Sequence, residues 1–201
     1  MLWLADAPLV LASQSASRRA ILEGAAIPLE VLPADIDERA VEAKSGAADP
    51  GAVALLLARE KALAVARQRP GRLVLGADQT LALGNRRFSK PADRMAAREQ
   101  LMALRGKTHA LHSAIAVVRD GRVVFEHCET ARLTMRDFSE GFLESYLNAA
   151  GSAVTASVGA YQVERAGIQL FARIEGDHFT ILGLPLLTLL DFLRREGLLA
   201  G

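Results

Sequence analysis

The chain has 201 residues, 51% of them apolar, with 24 basic and 23 acidic side chains for a net charge of +1. That length and apolar content suit a single domain over residues 1–201 with a sizeable core. The balanced charge shows no basic excess or stripe of the kind a nucleic-acid surface needs. One cysteine, Cys128, excludes an internal disulfide framework and fits a reducing compartment. No apolar run reaches the ~20 residues of a membrane span, and "MLWLADAPLV" lacks the basic start of a signal peptide. A cytoplasmic protein with no membrane or nucleic-acid partner is expected.

In chain order, "LVLAS" reads as a short buried strand. "SRRAILEGA" opens a helix that Gly24 ends. "PLEVLPADID" is a strand running into an acidic loop, and "AVEAKSGAADPG" is polar and turn-rich. "AVALLLAREKALAVARQRPG" is a long helix with a wide apolar face, closed by Pro70 and Gly71. "RLVLGAD" is a strand that stops at Asp78. "LALGNRRF" carries Gly-Asn at the turn of a hairpin, and "DRMAAREQLMALRGK" is helical. The segment "HALHSAIAVVRDGRVVFEHCETARLTM" gives strands joined by a tight Asp120-Gly121 turn. Ser139 caps the helix "EGFLESYLNAAG". After a glycine-spaced stretch, Pro185 is an early residue of the last helix, "LLTLLDFLRREG". The alternation of strands and helices, followed by an antiparallel meander, predicts an α/β fold: a mixed twisted sheet flanked by helices.

Two apparent motifs fail. "RGKTH" ends like a phosphate-binding P-loop, but position 101 is Leu where glycine is required, and a helix rather than a strand precedes it. His109, His112, His127 and Cys128 match no standard zinc spacing, and His109 and His112 would point to opposite faces of a strand. They read as ordinary strand residues.

"SQSASRR" is more informative. One serine suffices to cap a helix, yet Ser13, Ser15 and Ser17 stand here together. Arg18 and Arg19 lie at a helix N-terminus, where the dipole already presents positive charge. Such a junction suits an anion, most often phosphate. Asp78 ends an apolar run. A turn-forming role and that of a carboxylate held at the mouth of a sheet weigh evenly for it. Lys61 and Lys90 read singly as solvated. Taken with Arg18, Arg19, Glu38 and Asp78, they form a set of cations for a polyphosphate and two carboxylates for a divalent metal. This is apparatus for cleaving a phosphoanhydride.

Five segments in order resemble the Maf family of nucleoside triphosphate pyrophosphatases: "LASQSASRRAIL", "DIDE", "LAREKA", "GADQTL" with the later "KP", and "VGAYQVERAGIQLFARIEGDHFTILGLPL". The resemblance covers nearly the whole chain. It implies an ITPase-like fold with two lobes around a central cleft. It also implies hydrolysis of a nucleoside triphosphate to monophosphate and pyrophosphate, with Mg²⁺ or Mn²⁺ as cofactor, and a homodimer. By the same resemblance Asp78 is the catalytic base or a metal ligand, and Glu38 assists metal binding. Arg18, Lys61 and Lys90 clamp the phosphates, and Ser13 and Ser15 belong to the first loop; Arg19 reads as structural. Gln79 and Glu164 side with the branch similar to a 7-methyl-GTP pyrophosphatase. A buried glutamate there can accept from guanine N1–H and its amino group and favours a cationic base. The resemblance includes a second branch, acting on dTTP and UTP, with Thr after the catalytic Asp and Gln in the later segment. Ser17 stands where the 7-methyl-GTP branch carries Trp and matches neither branch, and Ala16 stands where the family carries Pro. Two other functions share these residues: a nucleotide-binding regulator of septum formation, and a metal-dependent phosphatase of another fold that would release orthophosphate.

Overall fold

The computed structural model describes residues 2–201. Seven strands, β1 (Leu9–Leu11), β2 (Leu29–Val31), β3 (Val74–Leu83), β4 (Arg86–Phe88), β5 (Thr108–Arg119), β6 (Arg122–Met135) and β7 (Phe171–Glu175), form a mixed sheet. Its order is β2-β1-β3-β5-β6-β7, with β4 paired to β3. β1 runs parallel to β2 and β3, whereas β3–β4 and β6–β7 are antiparallel. The helices are α1 (Ala16–Gly24), α2 (Glu38–Ser45), α3 (Pro50–Ala66), α4 (Arg94–Leu104), α5 (Glu140–Ala150), α6 (His178–Ile181) and α7 (Leu186–Arg195).

The chain divides into two compact units. The first comprises the chain up to Gln79, His112–Glu129 and His178–Gly201; the second comprises Thr80–Leu111 and Thr130–Asp177. In the first unit, Leu9, Leu11, Leu75, Ile115 and Val117 on the strands pack with Leu22 of α1 and Leu189, Phe192 and Leu193 of α7. A second cluster joins Val10, Val74 and Val118 to Ala62 and Val65 of α3. Such strands, covered on both faces, read as unbroken apolar runs, as "LVLA" and "AIAVV" do. In the second unit the Tyr146 hydroxyl of α5 donates to the Ala160 carbonyl at 2.9 Å. His109 Nε2 lies 2.7 Å from the Tyr161 hydroxyl, and both residues are buried. The buried Nδ1 of His109 has no protein partner. Burial lowers the His109 pKa to about 4, pushes Tyr146 up to about 12 and holds Tyr161 well above its usual range.

Side-chain caps set most helix starts. Ser15, Asp37, Asp49, Asp93 and Ser139 each accept the amide three residues on, satisfying a first-turn donor. Gly84 and Asn85 make the two-residue turn between Leu83 and Arg86. Asp120 and Gly121 both adopt positive φ in the β5–β6 turn, as a tight hairpin turn requires. Gly106 lies in the turn between α4 and β5, which accounts for the false P-loop ending.

Two expectations need correction. The polar stretch after Ile36 is not a loop but contains α2, capped by Asp37 and closed by Gly46 in the left-handed region. No residue of α2 is buried, so it lacks the apolar stripe by which a helix is recognised. β3 does not stop at Asp78 but continues to Leu83; the polar pair Asp78-Gln79 imitates a strand end. α1 ends at Gly24 as expected, although the left-handed residue that follows is Ala26 rather than the glycine.

Candidate active site

The site is built on β3, and glycine decides its geometry. A Cβ at Gly76 would overlap the Ala58 carbonyl and come within 2.9 Å of Ala62 Cβ. Only glycine lets α3 lie this close to the strand. Ala58 and Ala62 form the contacting face of α3, and Lys61 stands beside it. Two residues along β3, on the same face of the strand as Gly76, Asp78 receives the Lys61 ammonium, with Nζ 2.6 Å from Oδ1. Lys61 Nζ also lies 2.8 Å from Oε1 of Glu38, the first residue of α2. The Lys61 and Asp78 side chains are 13% and 12% exposed and that of Glu38 is 49% exposed. Burial pushes the Asp78 carboxyl above its ordinary pKa, against the opposing charges of Lys61 and Arg18. A raised carboxyl in a polar cluster is a common mark of a functional site.

Arg18 accounts for the basic residues at the start of α1. Ser15 caps that helix by accepting from the Arg18 amide at 3.3 Å. The Arg18 side chain then turns away from the helix. Its Nε donates to the Gly183 carbonyl at 2.9 Å, and its Nη1 donates to the Ala77 carbonyl at 2.8 Å and Ser13 Oγ at 3.1 Å. Burial lowers the Arg18 pKa, opposed by the Asp78 and Glu38 charges. Arg19 points outward to an exposed ion pair with Glu23 at 2.7 Å, which is the structural role expected of it. Ser17 is half-buried in the first turn of α1.

Gln79, next to Asp78 and on the opposite face of β3, donates from Nε2 to Ser113 Oγ, the Thr180 carbonyl and the Ile181 carbonyl at 2.9, 3.2 and 3.1 Å. Ser113 Oγ donates to the Thr180 carbonyl at 2.7 Å, and Thr180 Oγ1 donates to Glu129 Oε2 at 2.9 Å. Ser113, Thr180 and Gly183 were not singled out from sequence. The available signal was Ser113, a polar residue at the head of the apolar run "AIAVV".

The first unit therefore brings together Ser13, Ser15, Arg18, Glu38, Lys61, Asp78 and Gln79. Lys90 and Glu164 belong to the second unit. Lys90 is exposed after β4, and Glu164 lies on an exposed turn beside Arg165 rather than buried. Polar side chains within the glycine-spaced stretch leave that turn at the surface.

The donor set suits a hard divalent cation. Two carboxylates, Glu38 and Asp78, converge on the single position now taken by the Lys61 ammonium. No group of three His, Cys, Asp or Glu suited to a metal occurs among the described residues. Mg²⁺ is commonly held by only one or two carboxylates, with substrate phosphates and water completing its shell. No described helix is long and apolar enough to cross a membrane.

Comparison with known proteins bears on the family. A nucleoside triphosphate pyrophosphatase of Rhodopseudomonas palustris (strain BisB18) is 59% identical over 199 residues, 99% of this chain and 98% of that one. One of Nitrobacter hamburgensis is 56% identical over 198 residues, covering 98% of each. Among solved structures, a HAM1 protein from Coxiella burnetii is similar with a TM-score of 0.45 and 20% identity, over 65% of this chain and 73% of that one. The family model described as Maf-like protein matches residues 8–196, and the chain belongs to that family.

Proposed function

We propose that this protein hydrolyses nucleoside triphosphates to the monophosphate and pyrophosphate. The observation that carries the reading is the Asp78–Lys61–Glu38 cluster, set on β3, α3 and α2 in a chain whose curated relatives bear the name nucleoside triphosphate pyrophosphatase. Water attacks the α-phosphorus, the bond to the bridging oxygen breaks, and pyrophosphate leaves. Asp78 accepts the proton of the attacking water. A base of this kind contributes roughly a hundred- to ten-thousand-fold, and burial above the ordinary carboxylate range improves its match to neutral pH.

A divalent cation, Mg²⁺ or Mn²⁺, would be held by Glu38 and Asp78 and would neutralise charge on the phosphate oxygens. With the cation between the carboxylates, the Lys61 ammonium would give up that position and turn to phosphate. Arg18 meets phosphate with its Nη2 edge, because Nε and Nη1 are held by protein oxygens. Lys90 as a phosphate clamp rests on family resemblance alone, and Glu164 as a reader of a 7-methylguanine-type base rests on that resemblance and on its chemistry. The Glu164 assignment is supported by its two acceptor oxygens, which match guanine N1–H and amino group where thymine and uracil offer one N–H.

The test is a panel of nucleoside triphosphates with Mg²⁺ or Mn²⁺, 7-methyl-GTP among them, with the products separated. Pyrophosphate and monophosphate are expected. Orthophosphate as the first product, or no product from any triphosphate, would overturn the reading.

A further inference from the structure

Gln79 is the residue whose surroundings the proposed chemistry does not use. It stands next to Asp78, yet its amide nitrogen donates to three protein oxygens: Ser113 Oγ, Thr180 O and Ile181 O. Thr180 and Ile181 are the last two residues of α6, a helix of four residues. Carbonyls at a helix end lack intrahelical partners and need donors from elsewhere. Gln79 supplies them from the sheet. The Thr180 carbonyl also accepts from the Gly183 amide at 3.0 Å and from Ser113 Oγ, so three donors fix its place.

What α6 leads into gives this tie a purpose. Gly183 follows with φ 97°, and a Cβ there would meet both the Arg18 guanidinium at 3.6 Å and Gln79 Cδ at 3.7 Å. The Gly183 carbonyl holds Arg18 Nε, and the Ala77 carbonyl, one residue before Asp78, holds Arg18 Nη1. An unbroken path thus runs from Gln79 to the end of α6, to Gly183 and to the guanidinium whose charge acts on Asp78.

We propose that Gln79 is a positioning residue rather than a reader of the nucleobase: it fixes the 180–183 turn and through Gly183 orients Arg18 beside Asp78. The proposal rests on the hydrolytic reading for its kinetic consequence and on geometry alone for its structural one. Those two consequences are tested separately.

Gln79→Met keeps the length of the side chain and removes its donors. Hydrogen exchange on wild type and variant reads the Gly183 and Leu184 amides, which donate to Thr180 and Phe179 carbonyls. Their protection should fall about tenfold or more as the turn loosens. On every triphosphate the wild type hydrolyses, kcat should fall by about tenfold or more, with the ratio of kcat/KM between any two bases unchanged within about twofold. Ser113→Ala, a milder cut in the same network, should show the same pattern at smaller amplitude and serves if Gln79→Met does not fold. A ratio between bases that moves tenfold would assign Gln79 to base reading. Unchanged exchange at Gly183 and Leu184, or a lower melting temperature with kcat intact, would equally overturn the proposal. If the wild type hydrolyses no triphosphate, the hydrolytic reading fails by itself while the exchange result still decides the positioning role.

Discussion

In the first unit an ammonium, two carboxylates and a guanidinium gather around β3, and none has a fully apolar setting: Lys61 touches Asp78 and Glu38, and Arg18 is held by two carbonyls and a serine. In the second unit the buried His109 meets the buried Tyr161, and the buried Tyr146 meets a backbone carbonyl, all neutral partners. Burial therefore acts differently on the two. In the second unit it keeps the groups neutral, since an isolated buried charge is costly. In the first, opposite charges offset part of that cost, and the charge stays available for a ligand. Buried polarity alone does not mark a site; buried polarity that retains charge does.

Asp78→Asn attacks the charged side of this contrast and should have the largest effect. Turnover should drop by roughly a hundred- to ten-thousand-fold, with the folded state and nucleotide binding retained. Steady-state kinetics beside calorimetric binding checks this, and an active variant would remove Asp78 from the chemistry. Gly76→Ala leaves every charge in place but pushes α3 off β3, because its Cβ meets the Ala58 carbonyl. Stability should fall by about 3 kcal/mol, the upper part of the overpacking range, as read by urea unfolding. Turnover should fall with it as Lys61 withdraws from Asp78.

His109 tests the neutral side. Its folded pKa of about 4 lies below the ordinary 6.5, so the unfolded chain binds more protons between those values. The stability is therefore complete above about pH 6.5 and is lost as pH falls toward 4. The full difference is about 3 kcal/mol at 1.36 kcal/mol per pH unit. His109→Gln should flatten that part of the stability–pH curve relative to wild type; parallel curves would contradict it. The smallest effect belongs to Ser15→Ala, which removes the cap of α1 and should cost about 1 kcal/mol in thermal unfolding. A much larger loss would mean that Ser15 does more than begin a helix.

The sequence made the buried strands, the amphipathic helices, both hairpin turns and the Ser139 cap legible, because each has a local cause: apolar runs, turn residues with positive φ, or a side-chain oxygen. It did not reveal α2, whose surface-exposed residues leave no stripe to read. Within the site, the alliance of Glu38, Lys61 and Asp78 was legible as a set of residue types. The partners of Arg18 and Gln79 were not. Their acceptors are largely backbone carbonyls of Ala77, Thr180, Ile181 and Gly183, and a carbonyl carries no residue-type signal. The three serines also separate only in space: Ser15 caps, while Ser13 accepts from Arg18.

β3 carries a last consequence. Gly76 and Asp78 face one side of the strand, while Gln79 faces the other. Side chains alternate with a period of two, so a shift of one position would exchange these faces together. A single residue inserted between Leu75 and Asp78 would misplace the carboxylate, the helix contact and the amide tie in one event. One inserted at Gly84-Asn85 would only lengthen a turn. Tolerance of length change along this strand should therefore be close to binary, with the hairpin end permissive and the Gly76–Gln79 stretch fixed to the residue.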